Sequence, residues 1–279
     1  MSQALSSVAR EEFDSEVKHA YQGMKTLREC VKVRNGVVGD KYDFRLMGKG
    51  AATARTGSSA DVVPMDVSHS VKVATLVDYE APEYTDIYDK ATVNFDEVKE
   101  LATTIAGAMG RRDDQSIIDA LDGATVAAAN DIANGSTNLT IAKLRTAKKR
   151  LDAVEAPSDE RYFLCDHEGL AALLATTEVT SSDYNGVKAL VQGEVNTFLG
   201  FKFIVIGSRA EGGLPETSDI VTGFAFHKSA VGHAVGIDMD TRIDYVAHKA
   251  SWLSMGMWKA GSVVIDPEGI VKVDYDKTA

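Results

Sequence analysis

Basic residues are outnumbered in this chain. Its 279 residues carry 30 Lys and Arg against 41 Asp and Glu, a formal net charge of −11. That balance argues against tight, direct nucleic-acid binding, which leaves a basic footprint. Cysteine is almost absent. Cys30 and Cys165 stand far apart without a partner motif, so they suit a reducing compartment better than a disulfide framework. No apolar run approaches the length of a membrane span. The N-terminus shows no apolar h-region after a basic start, so no secretory leader is read there. The expectation is a soluble chain, intracellular when made.

Motifs of catalysis are missing too. There is no Gly-x-Ser-x-Gly nucleophile elbow and no dinucleotide fingerprint. Gly48-Lys49-Gly50 lacks the spacing of a phosphate loop. His167-Glu168 opens like a zinc-protease motif, but Ala171 stands where the second histidine would be. The acidic run of Asp78, Glu80, Glu83, Asp86 and Asp89 lacks the glycine pattern of a calcium loop. It reads as a solvated or interface-facing acidic face. The six histidines, His19, His69, His167, His227, His233 and His248, have no acidic or cysteine ligand pattern around them and read as structural or surface residues. No catalytic, cofactor-binding or metal residue is assigned. Triads assemble from distant segments, so a soluble hydrolase with a dispersed active site stays open as an alternative.

What is present is a sizeable core: 44% of the residues are hydrophobic, enough for one large domain or two smaller ones. The organising stretch runs from Asn94 to Asp122. Asn94 and Glu97 have the spacing of a capping box. Val98, Leu101, Ile105, Ala108 and Met109 recur at helical spacing, and the pattern resumes at Ile117, Ile118 and Leu121 after the polar step Arg111-Arg112-Asp113-Asp114. A helix of roughly 28 residues would span about 40 Å, and Gly123 is its expected stop. Gly107 and Gly110 leave room for a bend.

Before it, residues 8–30 read as an amphipathic helix with Phe13, Val17, Tyr21, Met24 and Leu27 on one face. It docks either on its own chain or on a neighbour. Val31 to Arg34 alternates as a strand, Asn35-Gly36 gives a hairpin turn signal, and Tyr42 to Met47 alternates again. Residues 48–61 are small and flexible, with Lys49 and Arg55 as the only cations. They read as the tip of a long hairpin whose return arm is Val62 to Val77. Such a hairpin is poorly stabilised alone and is explained if it lies on another chain.

After the long helix, Gly123 to Leu139 reads as a connector. Thr140 to Val154 returns to helix, with Lys143, Arg145, Lys148, Lys149 and Arg150 making one face basic. That face is either solvated or complementary to the acidic segments of a neighbouring copy. Arg161 to Cys165 is a short buried strand, and Asp166 caps the helix from His167 to Ala175. Thr176 to Asn185 reads as a polar loop and Phe201 to Ile206 as a strand. A two-faced strand covers Ile237 to Val246, and Trp252 follows in Ser251 to Met257. Ser262 to Ile265 and Ile270 to Val273 flank the turn Asp266-Pro-Glu-Gly269.

In order and local wording the chain resembles the major capsid proteins of tailed bacteriophages, the HK97-like fold, from about residue 8 to 275. Three stretches carry the resemblance: the glycine-tipped hairpin leading into a helix that ends in Asp114-Gln-Ser-Ile-Ile-Asp-Ala-Leu121, the segment Leu190 to Ile206, and the tail from Ala225 to Ile237 followed by Asp266 to Val271. The resemblance implies an α+β chain with an N-terminal arm (1–35), an extended E-loop hairpin (36–76), a peripheral domain (77–135 and 236–259) with a spine helix at 94–122, and an axial domain (136–235 and 260–279). It implies a structural virion protein, not an enzyme, that self-assembles into pentamers and hexamers of an icosahedral head enclosing double-stranded DNA, assembled in the host bacterial cytoplasm. Its partners would be further copies, a separate scaffolding protein, a portal and possibly a decoration protein, with no membrane and no cofactor. The scaffolding protein is implied because no coiled-coil stretch precedes the arm, unless the sequence is already trimmed. Expected inter-subunit contacts are Phe13, Tyr21, Lys49, Arg55, Glu80, Glu83, Arg145, Lys149 and Trp252. Within the same fold, an encapsulin-like compartment shell is the alternative; a neighbouring cargo-enzyme gene rather than portal and terminase genes would distinguish it.

Overall fold

The structure is a computed structural model that describes residues 26–58, 61–88, 97–175 and 198–279. Helix α1 (Glu97–Asp122) runs unbroken through Gly107 and Gly110. It ends where expected, with the Gly123 N–H donating to the Asp119 carbonyl at 2.9 Å. The capping residue expected at Asn94 lies outside the described residues, as do most of the N-terminal helix expected at 8–30, the loop expected at 176–185 and the start of the Leu190 segment.

Two sheets flank this helix. The larger has the order β5-β12-β9-β6-β7 and is made of β5 (Asp131–Ile132), β12 (Ile270–Asp276), β9 (Ile220–His227), β6 (Arg161–Cys165) and β7 (Lys202–Val205), with the short β8 (Glu216–Thr217) on the first residues of β9. Helices α2 (Ile141–Ala153) and α3 (His167–Ala175) complete this half. Successive strand residues point to opposite faces. On β6, Phe163 and Cys165 join a cluster with Leu144 and Leu151 of α2 and Leu173 of α3. Between them, Leu164 points the other way, into a cluster with Ile117, Ile118 and Leu121 of α1. With both faces covered, β6 reads as a continuous apolar run, and all five of its residues are buried.

The smaller sheet has the order β1-β10-β11-β4, from β1 (Lys32–Asn35), β10 (Val231–Val246), β11 (Ser251–Val264) and β4 (Val77–Asp86). The first half of α1 lies on it through Ile105 and Met109, against Val235, Trp258 and Ala260. Strand β11 is thin where other elements cross it. A Cβ on Gly256 would meet Met109 Sδ at 2.1 Å, and one on Gly261 would meet the Thr75 carbonyl oxygen at 2.0 Å. The two glycines face opposite ways, so helix and hairpin approach the same strand from its two sides.

That hairpin is a two-stranded antiparallel ribbon of β2 (Lys41–Met47) and β3 (His69–Thr75), with Lys41 opposite Thr75 and Met47 opposite His69. Its base is seated through Phe44, Ala74 and Leu76 on Ala234 and Ile265. Strand pairing on the return arm begins at His69, later than the Val62 expected from sequence. The Asn35-Gly36 turn signal also led to a wrong pairing. Strand β1 lies parallel to β10, with Lys32 opposite Gly232, and joins a different sheet from β2. The chain does turn here, with Gly36 and Gly39 at positive φ. Val37 donates its N–H to the Val235 carbonyl before the ribbon begins. Likewise, the strands on either side of Asp266 to Gly269 part company, β11 staying in the smaller sheet and β12 entering the larger.

Candidate functional site

The polar step in α1 is the largest departure from the sequence reading. Although polar, Asp113, Asp114 and Gln115 are buried. Asp114 accepts the backbone N–H groups of Thr26 and Leu27, the latter at 2.9 Å, and its Oδ2 lies 2.9 Å from Nη1 of Arg209. One carboxylate therefore fixes both the first described residues and the loop after β7. Gln115 holds the same loop by accepting from the Gly213 N–H and donating to the Gly213 carbonyl. Arg111 adds an ion pair to Glu211 at 3.0 Å. A charge-assisted contact of this kind is strong only where water is excluded, which is the case at Asp114.

Asp113 does a parallel task on the smaller sheet. His233 Nε2 lies 2.9 Å from Asp113 Oδ1, and both side chains are fully buried. His233 Nδ1 is 2.9 Å from Ser262 Oγ, which is 2.7 Å from Ser116 Oγ. These are the residue types of a hydrolytic triad, brought together from α1, β10 and β11. The imidazole is sealed inside, stacked beside Trp258, where it lies between helix and sheet. Among the described residues no group of three or more His, Cys, Asp or Glu could hold a metal ion.

The basic face of α2 is also smaller than expected. Lys143 is buried, and its ammonium donates to the carbonyls of Asn134, Thr137 and Asn138 at 2.7, 2.8 and 3.2 Å. Burial lowers its pKa. It fastens the preceding loop to the helix, leaving Arg145 and Lys149 exposed. Both thiols are buried, and burial pushes Cys30 up to about 11 and Cys165 up to about 12.

The expected contact residues are scattered over the surface. Lys49 pairs with Glu268 of its own chain at 3.0 Å, both side chains being exposed. Arg55 donates to the Ser58 carbonyl at the ribbon's tip. Glu80 and Glu83 are exposed on β4, an edge strand of the smaller sheet. Trp252 is half-buried against Tyr245, ring centroids 5.4 Å apart. Phe13 and Tyr21 lie outside the described residues.

Large apolar side chains remain exposed on the ribbon and the smaller sheet. They include Met47, Val71 and Val73 on the ribbon, Val62, Val63 and Met65 on its return path, and Ile237, Ile243 and Tyr245 along β10. Exposed apolar surface concentrated in one part of a molecule marks an interaction site. Sequence reading missed one further feature, a groove between β1 and β2 lined by Lys32, Arg34, Lys41 and Arg45. Its only signal was the alternation of cations with apolar residues on both sides of the Asn35-Gly36 turn.

A hairpin ribbon, a long helix bridging two sheets and an uncovered flank together match known architectures. The capsid structure of cyanophage P-SCSP1u is similar over 96% of this chain and 93% of its own, with 19% identity and a TM-score of 0.74. A structure from Mycobacterium phage Che8 gives 18% identity and a TM-score of 0.73, over 96% of this chain and 97% of that one. The head structure of Helicobacter pylori bacteriophage KHP40 gives 12% and 0.76, over 98% and 97%. At such identities the likeness carries the fold alone, and that fold is the HK97-like one. No curated protein sequence matches the chain. The phage capsid protein family matches residues 5–277, and the chain belongs to that family. It is a structural protein of the virion head shell. Among the described residues no helix is long and apolar enough to cross a membrane.

Proposed function

We propose that this protein is the major shell subunit of an icosahedral phage head, assembling into pentamers and hexamers around packaged double-stranded DNA. The observation that carries the reading is the ribbon β2–β3. Its base is seated on its own chain, while Met47, Val71 and Val73 are exposed. A two-stranded ribbon is marginal in water, and covering the exposed half of each such side chain on a neighbour would stabilise it by about 1 kcal/mol.

On this reading residues 1–35 are the arm and 36–76 the E-loop. Residues 77–135 and 236–259 are the peripheral domain, and 136–235 with 260–279 the axial domain. Phe13, Tyr21, Arg55, Glu80, Glu83, Arg145, Lys149 and Trp252 contact neighbouring copies, and Lys49 exchanges its own Glu268 for a neighbour's acid. The protein works without catalysis or a cofactor. A separate scaffolding protein guides assembly in the host cytoplasm, with a portal and a decoration protein as further partners. The net negative charge keeps packaged DNA from adhering to the wall; neutralising exposed acids is expected to slow DNA ejection, and unchanged ejection would count against this.

Sedimentation velocity and negative-stain microscopy of the purified protein, alone and with the neighbouring scaffolding candidate, test the reading. Closed shells or rings of five and six are expected. A monomer under every condition would sink it.

A further inference from the structure

The groove between β1 and β2 has a volume of about 940 Å³. Four cations, Lys32, Arg34, Lys41 and Arg45, line it against a single acid, Asp43. All four are exposed, and among the described residues none is held in an ion pair. Elsewhere some partly buried cations find acids: Arg28 with Asp238, Lys228 with Glu160, Lys272 with Asp122, Lys277 with Glu216. In a chain of net charge −11, four unneutralised cations around one groove are a local inversion of the overall field. The groove also has an aromatic wall, with the Arg34 guanidinium 5.9 Å from the centroid of Tyr42.

Its walls constrain what fits. Among the described residues β1 pairs only with β10, and β2 only with β3, so each wall is a strand with one edge that no described strand pairs. Such a slot suits an extended segment. The same chain presents one of opposite charge. β4 is the other edge of the smaller sheet, and it carries Asp78, Glu80, Glu83 and Asp86. Glu80 and Glu83 are exposed, and neither is in an ion pair among the described residues. Pro82 between them has no backbone N–H to donate, and side-chain charge is what β4 offers the groove.

We propose that the β1–β2 groove receives the acidic edge strand β4 of a second copy. Groove and strand are different surfaces of one chain, so the contact is head-to-tail, and such contacts make a ring where the rotation between copies closes. The inference rests on the shell reading above and names one of its contacts. Opposed charges steer the encounter and fix its register, whereas like charges facing each other cost several kcal/mol.

Three variants of the full chain test it: R34E/K41E in the groove, E80K/E83K on β4, and the combination of all four. Circular dichroism establishes that each is folded. Each two-site variant is expected to lower the shell or ring yield about tenfold or more, since each 1.4 kcal/mol is a factor of ten. The four-site variant restores charge complementarity at every contact and is expected to recover assembly. Raising salt should weaken wild-type assembly and blunt all these differences. Wild-type shells with two-site variants that assemble equally well overturn the groove proposal and leave the shell reading standing. Folded two-site variants that fail without recovery in the four-site variant also overturn it. A DNA oligonucleotide bound by wild-type subunits and released by R34E/K41E, with that variant's assembly unchanged, assigns the groove to nucleic acid instead. If wild-type protein forms no shell or ring, the shell reading falls and the groove proposal with it.

Discussion

Strand β9 and the outer part of β10 both carry large apolar residues, and these end in opposite surroundings. On β9, Phe224, Ala225 and Phe226 are fully buried. On β10, every residue from Asp240 to Tyr245 is exposed, Ile243 by 44% and Tyr245 by 48%. The difference lies in what covers them. β9 has helices α2 and α3 on one face and α1 on the other, whereas α1 reaches β10 near Val235 and Met239. Alternation in a strand tells which side chains share a face; it is silent about what lies over that face. One half of this molecule is finished by its own chain, and the other presents surface for a further chain to cover.

Paired measurements can break that comparison. The largest effect is expected at the anchor beneath both halves. Asp114→Ala leaves Arg209 as a buried cation without its partner and should destabilise the subunit by about 3–5 kcal/mol in urea titration. Next comes the contrast itself. Phe224→Ala should cost about 3–5 kcal/mol, and Ile243→Ala under about 1 kcal/mol, because half of that side chain is already in water. Equal losses at the two positions would mean the outer sheet is covered in the free subunit. Gly261→Ala places a methyl group against the Thr75 carbonyl. An overpacking loss of about 1–3 kcal/mol is expected, with faster hydrogen exchange confined to the ribbon and its seat; a change spread evenly over both sheets would show that the ribbon is not a separable element. The smallest effect is chemical. Cys30 and Cys165 should resist iodoacetamide at neutral pH and react only after denaturant is added, because burial disfavours both thiolates. Rapid labelling of Cys30 in the native protein would place its surroundings in the open half.

The finished half was the more legible in sequence. Ile117, Ile118 and Leu121 recur at helical spacing, and Arg161 to Cys165 stands as an uninterrupted buried strand because both of its faces are packed. The polar anchors were not legible in sequence, for an equally physical reason. Arg111 to Asp114 has the composition of a solvated turn of helix, and its partners Arg209 and His233 come from about a hundred residues further on. Lys143 looked like part of a charged face because its partners are backbone carbonyls, which leave no trace in a side-chain pattern. The candidate contacts fared differently. Glu80 and Glu83 stood out as clustered charge, while Lys32, Arg34, Lys41 and Arg45 did not. They become one groove only once β1 leaves β2 to pair with β10.

That pairing governs when the molecule can be completed during its synthesis. β1 finds its partner some 200 residues later, and β4 waits for β11, whose last residue is Val264. Until the C-terminal part leaves the ribosome, neither edge of the smaller sheet has anything to pair with, and the groove has only one settled wall. Non-local pairings of this kind form slowly. If the groove receives β4 as proposed, they also act as a safeguard: a truncated or half-made chain would lack both halves of that contact.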